Sequence, residues 1–288
     1  MLFELIRMLR IKQWTKNALV FFALIFDKQL FHPVALLRTT CGFLLFCLIS
    51  SAVYIFNDIS DIEADHQHPE KKNRPLPSGR LPIKIAWVAG IFLVTLVLPL
   101  SYLLSPSFAA VILAYLILIL VYSKWLKHIP ILDVLIIAAG FVLRVHAGVT
   151  LIAIERFSPW LYVVTTLGAL YLGFGKRRAE LALLAGDANS HRRVLNGYTI
   201  PLLDQYIMIV SSTTILAYSL YTFSAPNLPE NHSMMLTIPF VIYGVFRYLY
   251  LVQSKHAGGA PEEVLLSDRP LQAAILLWGI TVMGVFYL

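Results

Sequence analysis

Apolar residues run along this chain in long stretches rather than alternating with polar ones. Each stretch approaches the roughly 20 residues that an α-helix needs to cross hydrocarbon. Nine predicted helices follow, at 17–31, 34–56, 83–104, 107–123, 130–154, 158–175, 199–223, 234–252 and 270–288. The first is short, as expected of a tilted or partly interfacial segment. The predicted class is therefore all-α: a polytopic membrane protein whose single domain, 1–288, is a bundle of nine transmembrane helices.

Composition agrees with that pattern. Of 288 residues, 58% are hydrophobic and 14% charged, and the mean hydropathy of +0.74 excludes an ordinary soluble domain. The net charge of +7 is distributed by side rather than by domain. With the N-terminus in the cytoplasm, Arg7, Arg10, Lys12, Lys16, the cations of 71–84, Lys124, Lys127, Lys176, Arg177, Arg178, Arg192, Arg193, Lys255 and Arg269 share one face. Lys28, Arg38 and Arg156 take the other. This asymmetry places the loops after the second, fourth, sixth and eighth helices in the cytoplasm and the C-terminus outside. Cations gathered on one membrane face fit anionic headgroups and phosphorylated substrates, and not nucleic acid. Cys41 and Cys47, six residues apart in one helix, suit neither a disulfide nor a metal and read as small core residues. The start of the chain lacks a small-residue cleavage site, so no cleavable signal peptide is expected.

The chemistry is concentrated where the second apolar stretch ends. Five of the sixteen acidic residues lie between 58 and 70, and five cations follow between 71 and 84. If the helix continues two turns past Asn57, then Asn57, Asp61 and Asp65 fall at i, i+4 and i+8, with Asp58 on the adjacent line of the same face. Closely spaced carboxylates repel one another unless a cation is present. Mg²⁺ takes one or two of them and keeps its other positions for water and substrate phosphates. The simpler alternative is a solvated acidic helix cap, but a cap needs fewer acids than this. His66 and His68 are spaced unsuitably for zinc. Before Pro69, His68 shapes the loop or reaches a phosphate. Pro69, Pro75, Pro77 and Gly79 make that loop nonhelical, which lets Lys71 or Arg74 approach an anion.

These residues resemble the UbiA superfamily of intramembrane transferases, nine-helix bundles in which an N-D-x-x-D-x-x-x-D motif binds Mg²⁺ and a diphosphate. Asn57, Asp58, Asp61 and Asp65 match that motif position by position. Within the superfamily the chain is similar to the phosphoribosyl-transferring branch. The resemblance covers nearly the whole length, through Gln13-Trp14-x-Lys16-Asn17, Asp65-x-x-His68-Pro69-x-Lys71-x-x-Arg74-Pro75, Leu132-Asp133, Gly140-Phe141-x-x-Arg144 and Lys176-Arg177-Arg178-x-Glu180. It implies Mg²⁺-dependent transfer of phosphoribose from 5-phosphoribosyl 1-diphosphate to a polyprenyl phosphate, for lipid-linked arabinose and cell-wall polysaccharide. Asp58, Asp61 and Asp65 are the implied catalytic carboxylates. One departure bears on the branch. Prenyl-diphosphate-using members carry a second D-x-x-x-D motif after the sixth helix, where this chain has Lys176, Arg177, Arg178 and Glu180. Donor diphosphate, donor 5-phosphate and acceptor phosphate are three anions, and they call for more fixed cations. Prenyl transfer to an aromatic acceptor of the 4-hydroxybenzoate type is the alternative enzyme, and a non-enzymatic membrane carrier the alternative class.

The remaining candidates keep two readings each. Arg144 lies deep in the fifth helix on nearly the same face as Asp133, and either meets a substrate phosphate or makes a structural pair. Asp133 is either a helix N-terminal charge or a ribose hydroxyl acceptor. Gln13, Lys16 and Asn17 are headgroup anchors or ligand contacts. Tyr122 and Lys127 are an interfacial belt or substrate contacts, and Arg247 snorkels or serves as a secondary contact. The cytoplasmic loops after the second, fourth and sixth helices are expected to line one cavity, open sideways to the bilayer for the isoprenoid chain.

Overall fold

Prolines and hydroxyl side chains mark where the long helices begin. His32 precedes Pro33, Ser105 precedes Pro106 and Thr199 precedes Ile200-Pro201. In each case the flanking side chain accepts a bond from a first-turn amide, His32 from Ala35, Ser105 from Phe108 and Thr199 from Leu202. The computed structural model describes residues 2–67, 71–153, 158–184, 193–226, 228–254 and 261–287. Its α-helices in chain order are α1 (Leu2–Met8), α2 (Phe22–Phe26), α3 (Pro33–Ser60), α4 (Ile62–Gln67), α5 (Ile83–Leu104), α6 (Pro106–Lys124), α7 (Leu132–Val149), α8 (Trp160–Leu184), α9 (Ile200–Ser224), α10 (Ile238–Ser254), α11 (Pro261–Ser267) and α12 (Arg269–Tyr287). No strand occurs among the described residues.

Among the described residues seven helices are long and apolar enough to cross a membrane: α3, α5, α6, α7, α9, α12 and the Ser233–Ser254 stretch containing α10. Large apolar side chains such as Val88, Phe92, Leu103, Ile209 and Leu276 stand more than half exposed, as hydrocarbon permits and water does not. The chain is a multi-pass membrane protein.

Two expected spans take other forms. The 17–31 stretch is not one helix: Ile11–Phe21 winds as a 3₁₀ helix and Phe22–Phe26 as a single α-helical stretch. The polar run of Lys12, Gln13, Thr15, Lys16 and Asn17 shortens its apolar length, and buried Asn17 ties the segment to α3. The sixth expected helix does not end in a loop at 175. Lys176, Arg177, Arg178 and Glu180 continue α8 to Leu184, and these charges lower its hydropathy.

The contacts divide the chain into two compact units. The first comprises Met1–Ile25, Gln29–Lys127 and Leu143–Ile154; the second comprises Phe26–Lys28, His128–Val142 and Glu155–Leu288. In the first, α3 packs on α5, α6 and the 3₁₀ segment, around a core of Phe46, Ile49, Val53, Phe108, Ile112 and Leu151. Gly148, on α7, admits the close approach of the 3₁₀ segment, since a Cβ there would strike the Val20 carbonyl. Arg38, near the start of α3, donates from Nη2 to the Leu104 carbonyl at the end of α5 and from Nε to that of Leu151, both at 2.9 Å. In the second unit α8 packs on α9 and α10 on α12, around Val134, Tyr171, Phe174, Leu203, Ile207 and Tyr248.

Candidate active site

The acidic motif sits where α3 gives way to α4. The helix breaks at Asp61 (φ −100°, ψ 7°), yet the register survives: the Asp61 amide bonds to the Asn57 carbonyl at 3.0 Å and that of Asp65 to the Asp61 carbonyl at 2.8 Å. The expected i, i+4, i+8 alignment is thereby kept across the break. Asp58 and Asp65 are buried, with side chains 5% exposed, while Asp61 is 27% exposed.

Each carboxylate meets a cation brought from elsewhere in the first unit. Arg10 Nη2 lies 2.5 Å from Asp58 Oδ1. Arg74 Nη1 reaches the same oxygen at 3.3 Å and Asp65 Oδ2 at 2.6 Å. Lys127 Nζ lies 2.7 Å from Asp61 Oδ1, and Asn57 Nδ2 donates to Asp61 Oδ2 at 3.1 Å. Arg74 is presented by a loop that Leu76 and Leu81 bury against α3 and α5 and that Ser78 closes by donating to the Arg74 carbonyl at 2.6 Å. Arg10 holds a left-handed backbone (φ 51°, ψ 49°), and its guanidinium lies 4.9 Å from the Tyr54 ring centre.

A second polar group lies deeper along α3. Arg144 Nε donates to Asn17 Oδ1 at 2.8 Å and Nη2 to the Tyr115 hydroxyl at 2.9 Å, with the rings of Phe46 and Tyr115 against its guanidinium. Asn17 Nδ2 in turn donates to Ser50 Oγ at 3.0 Å. Arg144 and Asn17, expected separately, therefore partner each other. Gln13, Lys16 and Tyr122 are half-buried and Lys71 is exposed in the same unit. His68 lies outside the described residues.

The second unit holds a network of its own. Arg177, 2% exposed, places Nε 2.5 Å from Asp133 Oδ2 and Nη1 2.7 Å from Glu180 Oε2. The Tyr198 hydroxyl donates to Asp133 Oδ1 at 2.7 Å and accepts the Ile131 amide at 2.6 Å. Burial, reinforced by the bond to the Asp133 carboxylate, pushes the Tyr198 hydroxyl above its ordinary value. Ile131 is left-handed (φ 69°), a costly conformation for a β-branched residue. Gly197 lets this turn close, because a Cβ there would strike Pro130. Lys176 is half-buried beside the network. Arg178 pairs with Asp204 at 2.5 Å. Arg247 makes a two-point pair with Asp268, at 3.1 and 2.8 Å, and lines a cavity of about 510 Å³ with Ile242, Tyr243, Phe246 and Tyr250. The bonds from Arg247 hold the Asp268 carboxyl below the usual carboxylate range, and the Leu271 amide adds to that effect.

The profile of the UbiA prenyltransferase family matches residues 18–265. The chain belongs to this family. The decaprenyl-phosphate phosphoribosyltransferase of Corynebacterium glutamicum is 33% identical, over 99% of this chain and 87% of the relative. That of Mycobacterium tuberculosis is 32% identical, over 96% of this chain and 92% of the relative. Among solved structures, a UbiA homolog from Archaeoglobus fulgidus bound to DMAPP and Mg²⁺ superposes with a TM-score of 0.74. It is 18% identical and covers 98% of this chain and 99% of the homolog. The fold is that of the UbiA family.

In this UbiA family member the donor set of the acidic motif is all oxygen, which suits a hard cation. Among the described residues no three His, Cys, Asp or Glu side chains converge as a ready-made metal cage. Asp58 and Asp65 do aim oxygens at one shared point, the position of Arg74 Nη1. Two carboxylates aimed at one point are what Mg²⁺ takes when its other positions are kept for water and phosphate oxygens. Sequence reasoning missed Arg10, counted there only as a cytoplasmic cation, and also Tyr54, Tyr115 and Tyr198. Arg10 stands three residues before Gln13, close enough to that motif to have been considered.

Proposed function

We propose that this UbiA-family transferase moves 5-phosphoribose from 5-phosphoribosyl 1-diphosphate to a polyprenyl phosphate such as decaprenyl phosphate, releasing pyrophosphate. The observation that carries this reading is the near full-length similarity to bacterial decaprenyl-phosphate phosphoribosyltransferases. The bond from ribose C1 to the diphosphate oxygen breaks, and a bond from C1 to an oxygen of the lipid phosphate forms on the opposite face. The attacking oxygen is already anionic at neutral pH, so no strong general base is required, and positioning with charge neutralisation lowers the barrier.

Asn57, Asp58, Asp61 and Asp65 would hold Mg²⁺, which would supply charge neutralisation to a diphosphate group. The UbiA homolog of the same fold from Archaeoglobus fulgidus is bound to DMAPP and Mg²⁺, which supports Mg²⁺ as the cation. Arg74 and Lys127 already stand at the motif carboxylates and are assigned to the diphosphate oxygens, as are Lys71 and His68. Gln13, Lys16, Asn17, Tyr122 and Arg144 are assigned to the remaining donor contacts. Lys176, Arg177, Glu180 and Asp133 are assigned to the other phosphate and ribose groups, and Arg247 is a secondary contact. The finer topology belongs to the same reading: one transferase domain of nine spans, an inner-membrane location, cytoplasmic motif loops and an external C-terminus, as the distribution of cations supports.

The test combines purified protein with Mg²⁺, labelled 5-phosphoribosyl 1-diphosphate and polyprenyl phosphate. Label is expected in the organic phase with equimolar pyrophosphate, and Asp61→Ala is expected to lose about a thousandfold or more of the rate. Absence of labelled lipid, with turnover instead of a prenyl diphosphate and 4-hydroxybenzoate, would overturn the phosphoribosyl reading.

A further inference from the structure

We propose that Arg10 is a positioning residue that occupies Asp58 in the free protein and leaves it when a diphosphate arrives, so that divalent cation and diphosphate bind cooperatively. The proposal rests on the diphosphate chemistry proposed above. Three carboxylates, Asp58, Asp61 and Asp65, are met here by three cations, Arg10, Arg74 and Lys127. Asp58 Oδ1 accepts from Arg10 and Arg74 at once, and Asp65 Oδ2 from Arg74. The oxygens that a divalent ion needs are the ones the guanidinium groups hold.

A divalent ion arriving alone meets two guanidinium groups at contact distance from its ligand atoms, and like charges in a partly buried site repel strongly. A diphosphate arriving with the ion changes the balance. It offers the arginines new acceptors, and the carboxylate oxygens become free for the metal. Binding of each ligand then favours the other, which is a reciprocal coupling of two sites.

Arg10 is built for this exchange in a way that Arg74 is not. It sits at a sharp left-handed corner between α1 and the 3₁₀ segment, a conformation that costs free energy in a non-glycine residue and marks functional positions. The Tyr54 face holds its guanidinium beside Asp58 without neutralising its charge. Its side chain is 26% exposed and that of Arg74 29%, so both can reach water; Arg74 is held between Asp58 and Asp65, whereas the left-handed corner and the Tyr54 ring are what set Arg10 apart.

The test uses the full-length protein in detergent, Mn²⁺ as cation and inorganic pyrophosphate as anion. Protein-bound Mn²⁺ is read by electron paramagnetic resonance and corrected for the Mn²⁺–pyrophosphate complex in solution. In the unsubstituted protein, pyrophosphate is expected to tighten Mn²⁺ binding. Arg10→Gln should bind Mn²⁺ alone about tenfold more tightly, the scale of one charge-assisted bond removed from competition, and should lose most of the pyrophosphate enhancement. Arg10→Lys should restore part of that enhancement. Tyr54→Leu, which loosens the seat of Arg10, should shift Mn²⁺ affinity the same way by a smaller factor. A merely structural role predicts the opposite sign, because a damaged site binds Mn²⁺ less tightly; weaker or unchanged Mn²⁺ binding by Arg10→Gln overturns the proposal. Tighter Mn²⁺ binding by Arg10→Gln with no pyrophosphate effect in either protein would leave the competition standing and overturn the diphosphate function itself.

Discussion

Both units of this protein build a network of carboxylates and guanidinium groups, and the two differ in what their charges remain free to do. At the acidic motif the cations Arg10 and Arg74 are 26% and 29% exposed, and they share Asp58 Oδ1 between them. Around Asp133 the partners are closed in, with Arg177 2% and Asp133 0% exposed and both carboxylate oxygens engaged by named donors. Water can screen and replace the first set of bonds, so its ion pairs are exchangeable. The second set has no such substitute and acts as a fixed cross-link between α7, α8 and the turn carrying Tyr198. Ion pairs of similar length thus serve opposite purposes, and burial decides which.

The most forceful way to break this comparison is to remove one carboxylate from each network. Asp133→Ala leaves the buried Arg177 charge without its Asp133 counterion, and the unit is expected to lose about 3–5 kcal/mol. Asp58→Asn leaves Arg10 and Arg74 able to reach water, and folding should change by about 1 kcal/mol or less. Thermal unfolding of both variants in detergent decides the matter; equal losses would mean that the motif carboxylates are structural too. A smaller effect is expected from Tyr198→Phe, which frees one Asp133 oxygen and the Ile131 amide and should cost about 1–3 kcal/mol in the same measurement. That variant also sharpens the comparison, because Mn²⁺ binding at the acidic motif should not follow it.

The smallest effect belongs to the two-point pair of Arg247 and Asp268. The folded carboxyl titrates below its unfolded value, so its contribution is complete above about pH 4 and is lost as pH falls through the lower folded value. Asp268→Asn should therefore unfold slightly earlier than the unsubstituted protein at neutral pH. The difference should close as the medium is acidified below about pH 4. A gap that persists undiminished in acid would show that Asp268 acts through its cap on the Leu271 amide rather than through its charge.

Much of the helical frame was legible because its signals are local. The stretches 83–104 and 107–123 match α5 and α6 closely, since apolar runs bounded by Pro82, Ser105-Pro106 and Lys124 leave little freedom. The acidic register was legible for the same reason, even though the helix breaks inside it. What escaped were arrangements created by distant partners. Arg10 finds Asp58 from 48 residues away, and Tyr198 finds Asp133 from 65. No periodicity within a helix records such a meeting. The 3₁₀ winding of Ile11–Phe21 escaped because Asn17, bonded to Ser50 and to Arg144, fixes the segment from outside it. The extension of α8 escaped because a cluster of charges reads as a loop, whereas here Arg177 finds its counterions at Asp133 and, one turn along the same helix, at Glu180.

Arg38 stands about 30 Å from Asp58 along α3, by the helical rise, which is close to the thickness of a bilayer's hydrocarbon core. There it caps the Leu104 and Leu151 carbonyls, which would otherwise draw in water. By spending a guanidinium on two backbone oxygens, the first unit fastens the start of α3 to the end of α5 and to the turn after α7, so the helix that carries the acidic motif is anchored at both of its ends.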